Sequence, residues 1–193
     1  MGRARESRPD GQNDPVSMDL EVASGWLTRD ELEQSRERLP MVYVDVVPVR
    51  VDALGQIAEI ALLLRAMPDG SISRALVSGR VLYGERVRDA LMRHLEKDLG
   101  PMAMPRLPVS ATPFQVVEYF PDPSVTGFHD PRQHAVALAY IVPVDGDCQP
   151  SHDALDLAWV TPAEAATMLL AEQMTGGHDR LLRLALAHAG QLP

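Results

Sequence analysis

Residues 79–100 are the part of this sequence that most constrains its fold, because a glycine-bounded loop passes there into an amphipathic helix. Gly79 and Gly84 bracket the loop, and the hydrophobic period changes from Glu85 onward. Four aliphatic residues at four-residue spacing then share one helical face: Val87, Leu91, Leu95 and Leu99. Gly100, followed by proline, ends the pattern as helix terminators do. The segment predicts a loop and then a helix that packs through one face.

The polar side of this helix carries three residues at relative positions i, i+3 and i+4: His94, Lys97 and Asp98. Residues at that spacing are neighbours on one face of a helix. Glu96 lies about 200° around the helix from His94 and should point elsewhere. By charge pattern alone, the helix would be an ordinary solvated surface helix.

Composition limits the classes of partner. The 193 residues, 46% of them hydrophobic, can bury one substantial core, so we expect a single domain over residues 20–193 after a disordered tail at 1–19. A net charge of −9 does not indicate the basic surface that binds nucleic acid or an anionic membrane. A local site could still bind a nucleotide-sized ligand. The lone Cys148 suits a reducing compartment, and the N-terminal residues show no apolar signal region. These features predict a cytoplasmic protein.

Periodicity and turn residues predict strands on both sides of the loop and helix. A capping box at Thr28–Glu31 predicts a helix to about Leu39, and Thr161–Glu164 predicts another to about Ala171. A last helix is predicted over His178–Ala189. Met67–Gly70 is a turn signal, and the predicted strands are Val42–Val51, Ile57–Arg65, Ile72–Val77, Phe114–Phe120, His134–Val144 and Leu155–Val160.

Residues 79–100 resemble the box of the Nudix family, GX5EX7REUXEEXGU, in which U is aliphatic. The box positions that match are Gly79, Glu85, Arg93, Leu95 and Gly100, with Gly84 inside the loop. The flanking segments Leu62–Arg65 and Leu157–Glu164 are also similar to the family, and the resemblance extends over about residues 40–190. The GRVLYGE loop is similar to that of Nudix-like chains from actinobacteria.

The resemblance implies an α/β (α+β) fold, the Nudix α/β/α sandwich with a mixed sheet between helices. It also implies metal-assisted hydrolysis of a nucleoside diphosphate linked to another moiety, of the ADP-ribose kind. The box glutamates that would hold Mg²⁺ or Mn²⁺ are replaced here by His94, Lys97 and Asp98. A reduced catalytic and metal-binding set of Glu85, Asp98 and His94 would remain, while Gly79, Gly84, Arg93 and Gly100 would shape the box.

Further residues are candidates for substrate binding: Arg65, Tyr83, Lys97, Arg132 and His178. A guanidinium such as that of Arg132 can grip a phosphate, and His178 begins a helix whose exposed amides attract anions. Arg132 could equally be an ordinary loop residue, and His178 a helix cap after two glycines.

Two functions therefore remain open. One is a hydrolase that uses the residual Glu85 and Asp98, and the other is a non-catalytic protein that binds a nucleotide-like small molecule or a protein partner. Family members are often homodimers, so a dimer is a further expectation. In the second case no metal would be required.

Overall fold

The computed structural model describes residues 27–66, 70–150 and 154–192. The predicted tail and most of the predicted Met67–Gly70 turn lie outside these ranges. The elements in chain order are α1 Arg29–Arg38, β1 Met41–Val51, β2 Ile57–Ala66, β3 Ile72–Ala75, β4 Val77–Arg80, α2 Val87–Leu99, β5 Gln115–Tyr119, β6 Ala135–Pro143, β7 Asp156–Val160, α3 Pro162–Ala165, α4 Met168–Ala171 and α5 His178–His188.

The seven strands form one mixed sheet with β1 at its centre. The main order is β3-β2-β1-β6-β5, with β4 paired to β1 and β7 paired to β2. β1 runs antiparallel to β2 and β4 but parallel to β6. Its first half pairs with β4 and its second half with β2, so these two strands diverge along the same side of β1.

Both faces of the sheet are covered, because alternate residues of β1 enter two separate cores. Val44 and Val46 join the core under α2, whereas Val47 and Val49 join the core under α5. The buried leucines of α2 are Leu91, Leu95 and Leu99, and those of α5 are Leu181, Leu182 and Leu186. This arrangement confirms the predicted α/β/α sandwich with a mixed sheet.

Two local predictions were wrong. The segment Ile72–Val77 is not one strand, because the chain changes partner at Leu76: β3 pairs with β2, and β4 pairs with β1. The helix predicted from Thr161 stops at Ala165, because Thr167 caps a new turn by accepting a hydrogen bond from the Leu170 amide. The capping boxes at Thr28 and Thr161 are both present.

Across the described residues, no helix combines the length and apolar character that crossing a bilayer requires.

Candidate functional site

Arg93 closes the loop that precedes α2. Its Nε donates to Glu85 Oε1 at 2.7 Å, and its Nη2 donates to Glu85 Oε2 at 2.7 Å and to the Arg80 carbonyl at 2.9 Å. Glu85 Oε2 also accepts from the Leu82 amide at 2.9 Å. The hydrogen bonds from Arg93 lower the pKa of Glu85. Glu85 is therefore ionised at neutral pH, and both its oxygens bind groups of the loop and the helix.

His94 lies buried against the glycine that begins the loop. A Cβ placed on Gly79 would come within 1.8 Å of His94 Cε1, so the imidazole occupies the space above that glycine. His94 Nε2 lies 3.0 Å from the Arg80 carbonyl, which can only accept, so this nitrogen carries the proton. Burial lowers the pKa of His94. The side chain is thus a neutral packing group that joins α2 to β4.

Asp98 forms an ion pair with the end of β2. Arg65 Nη2 lies 2.8 Å from Asp98 Oδ2, and the side chains of Arg65 and Asp98 are 26% and 2% exposed. Arg65 Nε is buried and finds no hydrogen-bond partner in the described structure. The ion pair ties β2 to α2, and it places a fixed guanidinium beside the one carboxylate retained from the three helix acids of the box.

The other predicted binding residues do not all gather here. Tyr83 is 94% exposed on the loop, and Lys97 is exposed on α2. Arg132 lies in the β5–β6 connection, where its Nε and Nη2 donate to the two oxygens of Asp130 at 2.9 Å each. Asp130 also accepts from Gln133, so this arginine belongs to a polar network of that connection.

A second polar cluster lies on the α5 face of the sheet and consists of Asp45, Tyr119 and His178. Asp45 is 1% exposed, and its Oδ2 accepts a hydrogen bond of 2.8 Å from the Tyr119 hydroxyl. Burial and the Asp45 charge together raise the pKa of Tyr119 far above its usual value. His178 Nδ1 accepts from the Leu76 amide at 3.3 Å, so Nε2 carries the proton of the neutral ring.

Charges from this cluster and from Arg65 both affect the pKa of His178. Its pKa is lowered chiefly by burial, while Asp45 raises it and Arg65 lowers it. His178 is therefore within electrostatic reach of both a buried acid and the arginine that pairs with Asp98. Arg65 and His178 were predicted binding residues, whereas Asp45 was not predicted from the sequence. The available signal was an acid in the middle of the aliphatic strand VYVDVVPVRV, where burial of a charge is energetically unfavourable unless it has hydrogen-bond or ion-pair partners.

Comparison with known proteins identifies the family. The model of a domain of unknown function, DUF4916, matches residues 22–191. The chain belongs to the DUF4916 family. A search of curated proteins gave no match.

Solved structures show that this DUF4916 chain has the Nudix fold. A protein of Jonesia denitrificans, described as a possible asymmetric diadenosine tetraphosphate (Ap4A) hydrolase, is 61% identical, with 81% of this chain and 98% of that chain covered and a TM-score of 0.79. An Ap4A hydrolase of C. elegans, solved as a binary complex, is 17% identical with a TM-score of 0.56, covering 79% and 99% of the two chains. The Nudix domain of Shewanella oneidensis NrtR, solved with ADP-ribose, is 18% identical with a TM-score of 0.55, covering 83% and 98%.

A divalent metal, as the Nudix box implies, does not fit the side chains in this arrangement. Among the residues that the structure describes, no group of three or more His, Cys, Asp or Glu is placed to hold a metal ion. Glu85 pairs with Arg93, His94 bonds a carbonyl, and Asp98 pairs with Arg65. Mg²⁺ requires several converging oxygen ligands, and two of these three residues already neutralise guanidinium groups. The predicted metal set of Glu85, Asp98 and His94 is therefore distributed among three different contacts.

Proposed function

We propose that this DUF4916 chain binds a nucleoside diphosphate linked to another moiety, of the ADP-ribose kind, without hydrolysing it through a metal. The Arg65–Asp98 ion pair carries the proposal, because a fixed guanidinium lies 2.8 Å from the only helix acid retained from the box. A metal at Asp98 would have to displace this cation. What Arg65 offers a diphosphate in place of a metal is the set of N–H donors that the ion pair leaves unused.

The chemistry of Arg65 suits this role. A guanidinium has five N–H donors in a planar fork, and the ion pair with Asp98 occupies one of its terminal nitrogens. The side chain is 26% exposed, so the guanidinium is partly screened from water near the end of β2.

The solved relatives support this class of ligand. The NrtR Nudix domain was solved with ADP-ribose. The C. elegans protein is described as an Ap4A hydrolase, and the J. denitrificans protein as a possible one. ADP-ribose holds a diphosphate and Ap4A a tetraphosphate, each between two larger groups. We therefore take a bridged diphosphate as the ligand class.

The test is calorimetric titration of the protein with ADP-ribose and with Ap4A in the presence of EDTA. We expect binding without metal. At a free ligand concentration of 100 times the dissociation constant, the free energy of unfolding, measured separately by urea denaturation, should rise by about 2.7 kcal/mol. The Arg65→Gln variant should weaken the binding of both compounds at least tenfold, because a charge-assisted contact to phosphate is lost. Arg106→Gln is a matched control, since Arg106 also pairs with an aspartate, at 3.0 Å, but lies in the α2–β5 connection. Equal affinity of the Arg65 variant and the wild type would contradict the proposal.

Hydrolysis is the second candidate, because Glu85 and Asp98 retain two acids of the box and the relative at 61% identity is described as a possible Ap4A hydrolase. It predicts release of a mononucleotide from Ap4A or ADP-ribose when Mg²⁺ or Mn²⁺ is added, measured by chromatography. The release should disappear in Glu85→Gln while the melting temperature shows that the variant remains folded. Release by the wild-type protein would replace the non-hydrolytic proposal.

A further inference from the structure

We propose that Arg36, Arg80 and Tyr43 form an anion-binding site that takes a phosphate group. Tyr43 packs against the core under α5, and Arg80 is its partner in the β1–β4 register, so both side chains lie on the α5 face of the sheet. The Arg65–Asp98 pair involves α2, on the other face. The site is therefore separate from the ion pair on which the proposed function rests, and it does not depend on that function.

Two hydrogen bonds and the strand register bring the three side chains together. Arg36 Nε, on α1, donates to Gln133 Oε1 at 2.9 Å, and Gln133 Nε2 donates to the Tyr43 hydroxyl oxygen at 2.8 Å. Arg80 lies directly opposite Tyr43 on β4, and opposite side chains of an antiparallel pair have Cβ atoms about 5 Å apart. All three residues are half-buried, so each keeps part of its surface open to a small anion from solvent.

The two arginines carry charge that the described residues do not neutralise. Neither Arg36 nor Arg80 forms an ion pair within the described part of the chain, and the partner of Arg36 is the neutral amide of Gln133. Burial lowers the pKa of Arg80, and the charge of Arg36 lowers it further, so the two cations repel each other. An anion bound to both guanidinium groups would offset this repulsion. Three acids of the neighbouring segments already have partners: Asp130 with Arg132, Glu85 with Arg93, and Asp45 with Tyr119.

The donors of the site favour a phosphate group over a carboxylate. The Tyr43 oxygen accepts from Gln133, so the hydroxyl proton is available to donate, and Arg36 has terminal N–H groups besides the Nε that Gln133 occupies. A guanidinium binds phosphate through two parallel hydrogen bonds, and a phosphate monoester carries a charge of about −1.5 to −2 at pH 7. A carboxylate, with one charge and two oxygens, would satisfy fewer of these donors.

The experiment is calorimetric titration of inorganic phosphate, methyl phosphate and acetate into the protein in a phosphate-free buffer. The variants are Arg80→Gln, Arg36→Gln and Tyr43→Phe, with Arg106→Gln as the matched control, because Arg106 is also half-buried but is already paired with an acid. We expect phosphate to bind the wild type more tightly than acetate does. Its dissociation constant should rise at least tenfold in each of the two arginine variants of the site, less in Tyr43→Phe, and less than twofold in the control and in Arg65→Gln.

The two phosphate probes distinguish the sources of the anion. Tighter binding of inorganic phosphate indicates the free ion, and tighter binding of methyl phosphate indicates a phosphomonoester; either result supports the site. Absence of saturable phosphate binding to the wild type, or equal affinity in Arg80→Gln, would overturn it. A loss confined to Arg65→Gln would also overturn it, since the phosphate would then bind at the ion pair on the other face. Should Arg80→Gln not fold, Arg36→Gln decides, because α1 contains no buried residue.

Discussion

At the scale of single residues, Gly79 and His94 form a complementary pair. The imidazole fills the volume above the glycine, and a Cβ at Gly79 would lie 1.8 Å from His94 Cε1. His94 is 7% exposed and bonded to the Arg80 carbonyl, so it cannot swing into solvent without losing that contact. In this chain the first box glycine therefore serves the packing of a histidine.

We expect Gly79→Ala to lower the free energy of unfolding by about 2 kcal/mol, the usual range for overpacking a buried site. Urea denaturation is the measurement. Gly84→Ala is the matched control, because Gly84 has a φ of 75° but no atom lies within 4 Å of the Cβ that alanine would add, so only the backbone strain of about 1 kcal/mol applies. The double variant Gly79→Ala with His94→Ala should lose less stability than the two single variants together. Additive losses would show that the two side chains do not collide.

The pKa values of His94 and His178 predict a loss of stability in mild acid. Burial lowers the pKa values of His94 and His178 below the ordinary value of about 6.5, so the unfolded chain takes up protons at higher pH than the folded chain. The stability from keeping both rings neutral is complete above about pH 6.5 and decreases as the pH falls from there towards the folded-state values. The pKa of Glu85 is lowered by Arg93, so the stability that Glu85 contributes is lost only below about pH 4.5.

We therefore expect the melting temperature to fall between pH 7 and pH 5.5, with a smaller fall in His94→Gln. His188→Gln is the control, because His188 is exposed at the end of α5 and should leave the profile unchanged. A wild-type profile that is flat over this interval would contradict the assignment of buried neutral rings.

At the scale of elements, the Arg65–Asp98 ion pair is the polar connection between β2 and α2. Asp98 is 2% exposed, so replacing Arg65 removes a cation that lies 2.8 Å from a buried carboxylate. We expect Arg65→Ala to lower the free energy of unfolding by about 3 kcal/mol, as for other broken buried pairs. The double variant Arg65→Ala with Asp98→Ala should be more stable than the sum of the single losses predicts. A double-mutant cycle by urea denaturation measures this coupling, and a coupling near zero would contradict a structural role for the pair.

The elements themselves were largely predictable because each follows from local pattern. The four-residue spacing from Val87 to Leu99 specified α2, and Thr28 with Glu31 specified the start of α1. The change of partner between β3 and β4 was not predictable, since an apolar run such as Ile72–Val77 does not say which strand each half will bond. The second cap at Thr167 was hidden for a similar reason, because a threonine within a helical pattern can also lie in its interior.

At the scale of the whole molecule, the sequence predicted the sandwich but not the contacts within the site. Spacing placed His94 and Asp98 on one helical face, yet their partners, Arg80 and Arg65, come from strands that only the folded sheet brings near. Asp45 escaped notice because its neighbour Tyr119 is 74 residues away in the chain. Periodicity identifies the buried face of an element, whereas pairing between polar groups depends on tertiary distance.

The central position of β1 has a consequence for synthesis of the chain. β1 can form a hairpin with β2 early, because Val49 pairs with Ile60. Its other long edge has to wait for β6, since Met41 pairs with Ala135. While a ribosome makes the residues between them, that edge presents unpaired amides and carbonyls along an apolar strand, the kind of template on which nascent chains associate wrongly. The strand that organises the finished sheet is therefore open to incorrect pairing for as long as β6 has not been made.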